Sequence, residues 1–148
     1  MYLKYFFIFL LVSSTNLIAE TYFDSLFIKN NNQELVQFKV EVVKSPKQQE
    51  RGLMYRKELK KNTGMLFIFK KEKEASFWMK NTLISLDIIF INKDGEIDSI
   101  KKNTKPKSLR RIKSENEVIA VLEINSGESD ALGISKKSKV EIQKFLDF

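Results

Sequence analysis

The chain has no histidine and no cysteine, and only five glycines and two prolines among 148 residues. Without histidine there is no Ser-His-Asp triad, no imidazole general base and no ordinary zinc site. Without cysteine there is no disulfide framework, no thiolate nucleophile and no thiolate-bound metal. Long apolar runs are scarce as well. The longest, Tyr5 to Val12, has eight residues, and a membrane-spanning helix needs about 20.

Charge is abundant. There are 26 basic and 19 acidic residues, a formal net charge of +7, and lysine outnumbers arginine 22 to 4. The excess is local. Lys101, Lys102, Lys105, Lys107, Arg110, Arg111 and Lys113 stand in one segment without an acid, and the remainder of the chain balances at 26 − 7 = 19 basic against 19 acidic. Loop 101–113 reads as a docking loop for an anionic surface or, more plainly, as a solvated loop. No aromatic residue interleaves the run, which argues against a base-stacking nucleic-acid platform.

The first 19 residues read as a secretory signal peptide, with Lys4 before the apolar run, a polar Ser13-Ser14-Thr15-Asn16 stretch after it, and Ala19 at the cleavage position. An uncleaved anchor is the competing reading. Cleavage after Ala19 leaves residues 20–148, a secreted or periplasmic chain of 129 residues with charge +6 and no membrane span. A domain of this size buries about two-thirds of its unfolded surface, and here the core must hold the fold without disulfides.

Along residues 20–148, Tyr22 to Ile28 predicts a first strand, and the alternation of Val36, Phe38, Val40 and Val42 with polar neighbours predicts a half-buried second one. Ser45-Pro46-Lys47-Gln48 combines an N-cap, a first-turn proline and a capping box, predicting a helix from Pro46 to about Tyr55. Met65–Phe69 and Ser76–Met79, joined by the charged stretch 70–75, predict a hairpin with a charged tip. Leu86–Ile91 and Glu96–Ile100 flank Asn92-Lys93-Asp94-Gly95, a good hairpin turn. Val118–Ile124 and Val140–Ile142 predict further strands, with a helical turn at Ser129–Leu132. Many short strands with one or two short helices predict a mostly β, compact single domain, a jelly-roll-like sandwich or a barrel.

The distinctive residues cluster in three blocks: Glu50-Arg51-Gly52-Leu53-Met54-Tyr55-Arg56, Gly64 to Phe69, and Ser76-Phe77-Trp78-Met79-Lys80-Asn81-Thr82 with Leu86-Asp87 after it. Asp94-Gly95-Glu96-Ile97 and Val121-Leu122-Glu123 follow downstream. In this order the chain resembles the uncharacterised family known as domain of unknown function number 192, over about residues 38–142. The resemblance implies a small, mostly extracytoplasmic β-rich domain and implies no activity, cofactor or catalytic residue. Ser85 departs from the family pattern, standing where a proline is usual, and Lys137-Ser138 stands where Gly-Asp is usual.

Read for chemistry, Arg51 and Arg56 are two arginines kept in a lysine-rich chain, which suggests a need for the planar guanidinium fork. A structural ion pair among Arg56, Asp87 and Glu123 is one expectation, since the two acids lie in apolar strands and need partners if buried. The functional expectation is a non-catalytic binding module in which Arg51, Arg56, Trp78, Lys80, Asn81 and Asp87, beside Thr82, hold a small polar or anionic ligand or a protein partner. The alternatives are a carboxylate- and lysine-dependent enzyme on an envelope polymer, using Asp87 and Glu123, and an adhesion module using loop 101–113. No metal or cofactor is expected; the three methionines Met54, Met65 and Met79 are a minor Cu(I) candidate set beside their plainer role in packing.

Overall fold

The computed structural model describes residues 22–147; the expected signal peptide lies outside them. Seven strands form one sheet: β1 (Tyr22–Lys29), β2 (Leu35–Val43), β3 (Thr63–Phe77), β4 (Leu86–Ile91), β5 (Ile97–Lys101), β6 (Ile112–Asn125) and β7 (Lys139–Val140). Two short helices, α1 (Pro46–Arg51) and α2 (Glu128–Ala131), lie between them. The spatial order is β5-β4-β6-β3-β2-β1-β7. The sheet curls until its ends meet: Val140 N–H donates to the Gly95 carbonyl at 2.8 Å, and Glu96 bridges Lys139. Of the sandwich and barrel expected, the protein adopts a nearly closed barrel with two short helices.

Closure depends on the Asp94-Gly95 turn. Gly95 has φ +80°, and a Cβ there would lie 2.2 Å from the Val140 carbonyl oxygen. Only glycine combines that backbone with that approach.

Strand chemistry follows burial. The curled sheet encloses one core cluster, which includes Leu26, Phe38, Leu66, Ile68, Ile89 and Leu122. A second cluster, including Met65, Phe67, Phe69, Met79, Ile88 and Phe90, covers the opposite face of the central strands. β4 is buried at every position, which is why it reads as an unbroken apolar run, whereas β2 has one wet face over most of its length and alternates. All neighbouring strands are antiparallel except β2 and β3. A parallel pair needs a crossover. Residues 44–62 supply it, and α1 lies in that crossover.

Three sequence expectations are corrected. The helix stops at Arg51, not Tyr55, because Gly52 turns the chain at φ +47°. The expected charged hairpin at 70–75 is strand: β3 runs through it, and β6 pairs with both of its halves across two register shifts. The charges there face solvent, so they do not break pairing with a strand distant in sequence. The basic segment is a loop only over 102–111, since Lys101 ends β5 and Lys113 lies in β6. The two departures from the family pattern are accommodated. Ser85 Oγ donates to the Thr104 carbonyl at 2.7 Å, and Ser138 N–H closes a turn onto the Ser135 carbonyl at 2.9 Å.

Candidate functional site

α1 starts where Ser45 Oγ accepts the Gln48 N–H at 3.3 Å and the Gln48 side chain accepts the Ser45 N–H at 3.3 Å. Gln49 ties the helix to the sheet, donating to the carbonyls of Val43 at 3.2 Å and Ile68 at 2.7 Å. After Gly52 the chain turns down, and Leu53 enters the second core cluster. Segment 49–54 becomes one wall of a cleft of about 360 Å³, and residues 73–78 are the other. Arg51, Trp78 and Arg111 line it together with Glu50, Glu74 and Glu123.

Glu123 is the unusual group. It sits on β6 between Met65 of β3 and Ile88 of β4, both apolar, and is only 5% exposed. Burial alone pushes its carboxyl up to about 8, with no hydrogen bond or cation to offset it. At neutral pH the cleft is therefore floored by a protonated carboxylic acid, a hydrogen-bond donor with no partner of its own.

The cleft is cationic around Trp78. The Arg111 guanidinium lies 4.3 Å from the indole centroid and Lys80 Nζ 5.0 Å. A second recess of about 330 Å³ continues past Arg51, Met54 and Trp78 to Lys80 and Asn81. Asn81 holds its wall: at φ +55° it accepts the Tyr55 N–H on its carbonyl at 2.9 Å and donates Nδ2 to the Tyr55 hydroxyl at 2.8 Å.

The structure thus brings together Arg51, Trp78, Lys80 and Asn81, and places Thr82 in the wall of the first cleft. It does not bring Arg56 or Asp87 there. Arg56 pairs with Glu41 at 2.5 Å and lines a separate groove with Phe23 and Lys39. Asp87 is fully buried and accepts four hydrogen bonds, from the N–H groups of Asn103, Gly127 and Ser129 and from Ser129 Oγ. The ion pair expected among Arg56, Asp87 and Glu123 is accordingly absent. Backbone donors satisfy Asp87, Arg56 finds its acid on β2, and Glu123 takes the neutral form. Met65 and Met79 are buried in the second core cluster, while Met54 is half-buried with Sδ 3.9 Å from Asn81 Nδ2.

Arg111 was missed as a site residue because it was counted with the basic loop. The reasoning that singled out Arg51 in a lysine-rich chain applies to it equally. Sequence reasoning offers Glu123 as an ion-pair partner and, with Asp87, as one of two enzymatic carboxylates, but not as a lone neutral acid; its isolation inside Val121-Leu122-Glu123-Ile124 is the available signal.

Among known proteins, the sequence profile of domain of unknown function 192, described as an uncharacterized ACR family, matches residues 27–142. A crystal structure of a candidate transcription regulator from Sinorhizobium meliloti 1021 is 36% identical, with a TM-score of 0.80 over 82% of this chain and 94% of that one. A protein of unknown function from Novosphingobium aromaticivorans DSM 12444 is 33% identical, with a TM-score of 0.79 over 84% and 88%. No curated protein matches the chain.

Proposed function

The chain belongs to the domain of unknown function 192 family, and since that family is uncharacterised, we propose from the cleft itself that this is a secreted or periplasmic binding module for a small ligand carrying an anionic group. The observation that carries the reading is Glu123, a buried carboxyl without a partner in the wall of a cleft that also holds Arg51, Trp78 and Arg111. An unpaired buried carboxyl costs stability, and perturbed acids in clefts concentrate at functional sites.

Each group has a role in that reading. Arg51 and Arg111 have no ion-pair partner among the described residues, so their guanidinium forks are free for a carboxylate or phosphate. Trp78 supplies a flat apolar wall. The protonated Glu123 donates to an acceptor on the ligand and adds no negative charge to repel it. Ligand binding should therefore weaken as pH rises through about 8, where Glu123 ionises.

For a transcription-regulator role, as named for the Sinorhizobium relative, direct DNA reading by a recognition helix draws no support, because α1 has six residues and α2 four, too short to fill a major groove. A second reading has one specific observation behind it. An acid held protonated near neutrality beside Glu50 and Glu74 in the same cleft has the ingredients of general-acid hydrolysis of an envelope polymer.

Trp78 is the sole tryptophan, so intrinsic fluorescence reports the cleft directly. Titration with inorganic phosphate, small hydroxy-acids and sugar phosphates should give a saturable change with at least one probe, lost in Arg111→Gln and in Arg51→Gln. Silence across the panel, together with no co-purifying mass in native spectra of protein from its own envelope, would overturn the binding reading. Turnover of an envelope polymer, abolished in Glu123→Gln, would favour the enzyme.

A further inference from the structure

The loop 102–111 does not hang free. Met79 N–H donates to the Ser108 carbonyl at 2.9 Å, and Lys107 N–H donates to the Thr82 carbonyl at 3.0 Å, which joins it to the neighbouring loop 80–84. Thr104 anchors its start, donating Oγ to the Leu86 carbonyl at 2.9 Å and accepting the Leu86 N–H at 3.0 Å. Asp87 accepts the Asn103 N–H from beneath. The two loops are fixed to one another, and each exposes a leucine: Leu109 is 66% exposed and Leu83 38%.

Single exposed leucines are ordinary. Each stands in a loop that also carries exposed cations, Lys80 in one and Lys105, Lys107 and Arg110 in the other. Beside them lies a recess of about 570 Å³ lined by Lys101, Lys102, Lys105, Arg110, Arg111 and Lys113, with no acid in its wall. Lys101 and Lys102 are paired with Glu115 and Asp130; the other four have no carboxylate partner among the described residues. The whole formal charge excess of the chain is gathered in this segment.

We propose that this double loop is a docking surface for the anionic headgroups of a lipid bilayer. The lysines and arginines lie at headgroup level, where each contributes independently of lipid sequence or shape. Leu109 and Leu83 dip into the boundary below, in the manner of an interfacial anchor. A nucleic acid would call for stacking aromatics, and the loops carry leucine instead. Arg111 lines both this recess and the Trp78 cleft, so docking holds the cleft beside the bilayer.

Sedimentation of the full chain with vesicles tests this. Wild type binds vesicles of equal parts phosphatidylglycerol and phosphatidylcholine far better than phosphatidylcholine alone, and salt weakens the difference. Any contribution of the N-terminal apolar run is common to every variant. The triple change Lys105→Gln, Lys107→Gln, Arg110→Gln lowers binding roughly a hundredfold, at about fivefold per charge. An equal loss of charge elsewhere, Lys57→Gln, Lys60→Gln, Lys61→Gln, has a much smaller effect. The pair Leu83→Ala, Leu109→Ala lowers vesicle binding several-fold and leaves binding to soluble dextran sulfate unchanged. Equal effects of the two triple variants, or a leucine pair that leaves vesicle binding intact, would overturn the proposal; the second result points to a general polyanion site. Thermal midpoints of the variants, all altered at exposed positions, confirm folding.

Discussion

Replacing Glu123 with glutamine removes one titration from a nearly unchanged shape, and the resulting change in stability has a definite sign and size. In the unfolded chain this carboxyl titrates near 4.5, and in the folded protein burial holds it at about 8. Between those values the folded state keeps a proton that the unfolded state has released, so stability falls as pH rises. The slope is roughly 1.4 kcal/mol per pH unit, which over the whole interval comes to about 5 kcal/mol. That is an upper figure, because water at the cleft mouth can hydrate the ionised form. It is still a large part of the 5–15 kcal/mol typical of a domain. Asp24 and Asp98 do not obscure it. Asp24 is held low chiefly by its hydrogen bond from Lys144. Burial raises Asp98, but bonds from Asn116, Glu115 and Ser99 outweigh that, and it too is lowered. Both contribute stability that is lost only in acid, below the range where Glu123 acts. Urea denaturation followed by circular dichroism from pH 5 to 9 should show wild-type stability falling and then levelling above about 8. Glu123→Gln should match wild type near pH 5, lack the slope, and be several kcal/mol more stable at pH 9. A flat wild-type profile, or an equal slope in the variant, would refute the neutral, unpartnered carboxyl.

Three further substitutions probe the frame around the site. Gly95→Ala meets the Val140 carbonyl at 2.2 Å with φ at +80°, and should cost at least about 3 kcal/mol in urea denaturation through backbone strain plus loss of barrel closure. Asp87→Asn turns an amide donor towards N–H groups that now find an acceptor, and should cost about 2–4 kcal/mol and raise amide exchange at Asn103, Gly127 and Ser129. Arg56→Gln breaks an ion pair whose arginine side chain is 40% exposed; a loss above about 1 kcal/mol in the same assay would contradict the view that this pair is peripheral.

What the sequence revealed and what it hid divide along distance in the chain. The Ser45 capping box, the Asp94-Gly95 turn and the alternation in β2 are written in residues a few places apart, and all three have the expected form. The continuity of β3 through Lys70–Glu74 was hidden, because a charged run reads as a loop until its partner strand β6 is known. Arg56 failed for the same reason, its acid being on another strand. Asp87 was a fair candidate on chemistry alone, since nothing local reveals that distant backbone N–H groups satisfy it.

The site was half legible, and the missing half is instructive. Arg51 stands in one compact motif and Trp78, Lys80 and Asn81 in another, and the fold brings the two motifs together. Arg111 comes from the end of the basic loop, just before Ile112 pairs with Phe77 of β3, and Glu123 from near the end of β6. Along the sequence Arg111 counts as part of a basic excess, and Glu123 as an acid in need of a cation or as one of a carboxylate pair with Asp87. The fold gives each a different role. Arg111 is stacked on an indole, and Glu123 has no cation and so keeps its proton at neutral pH. Formal charge counted along the sequence is therefore a poor guide to this cleft, because burial has already changed the charge state of its most buried acid.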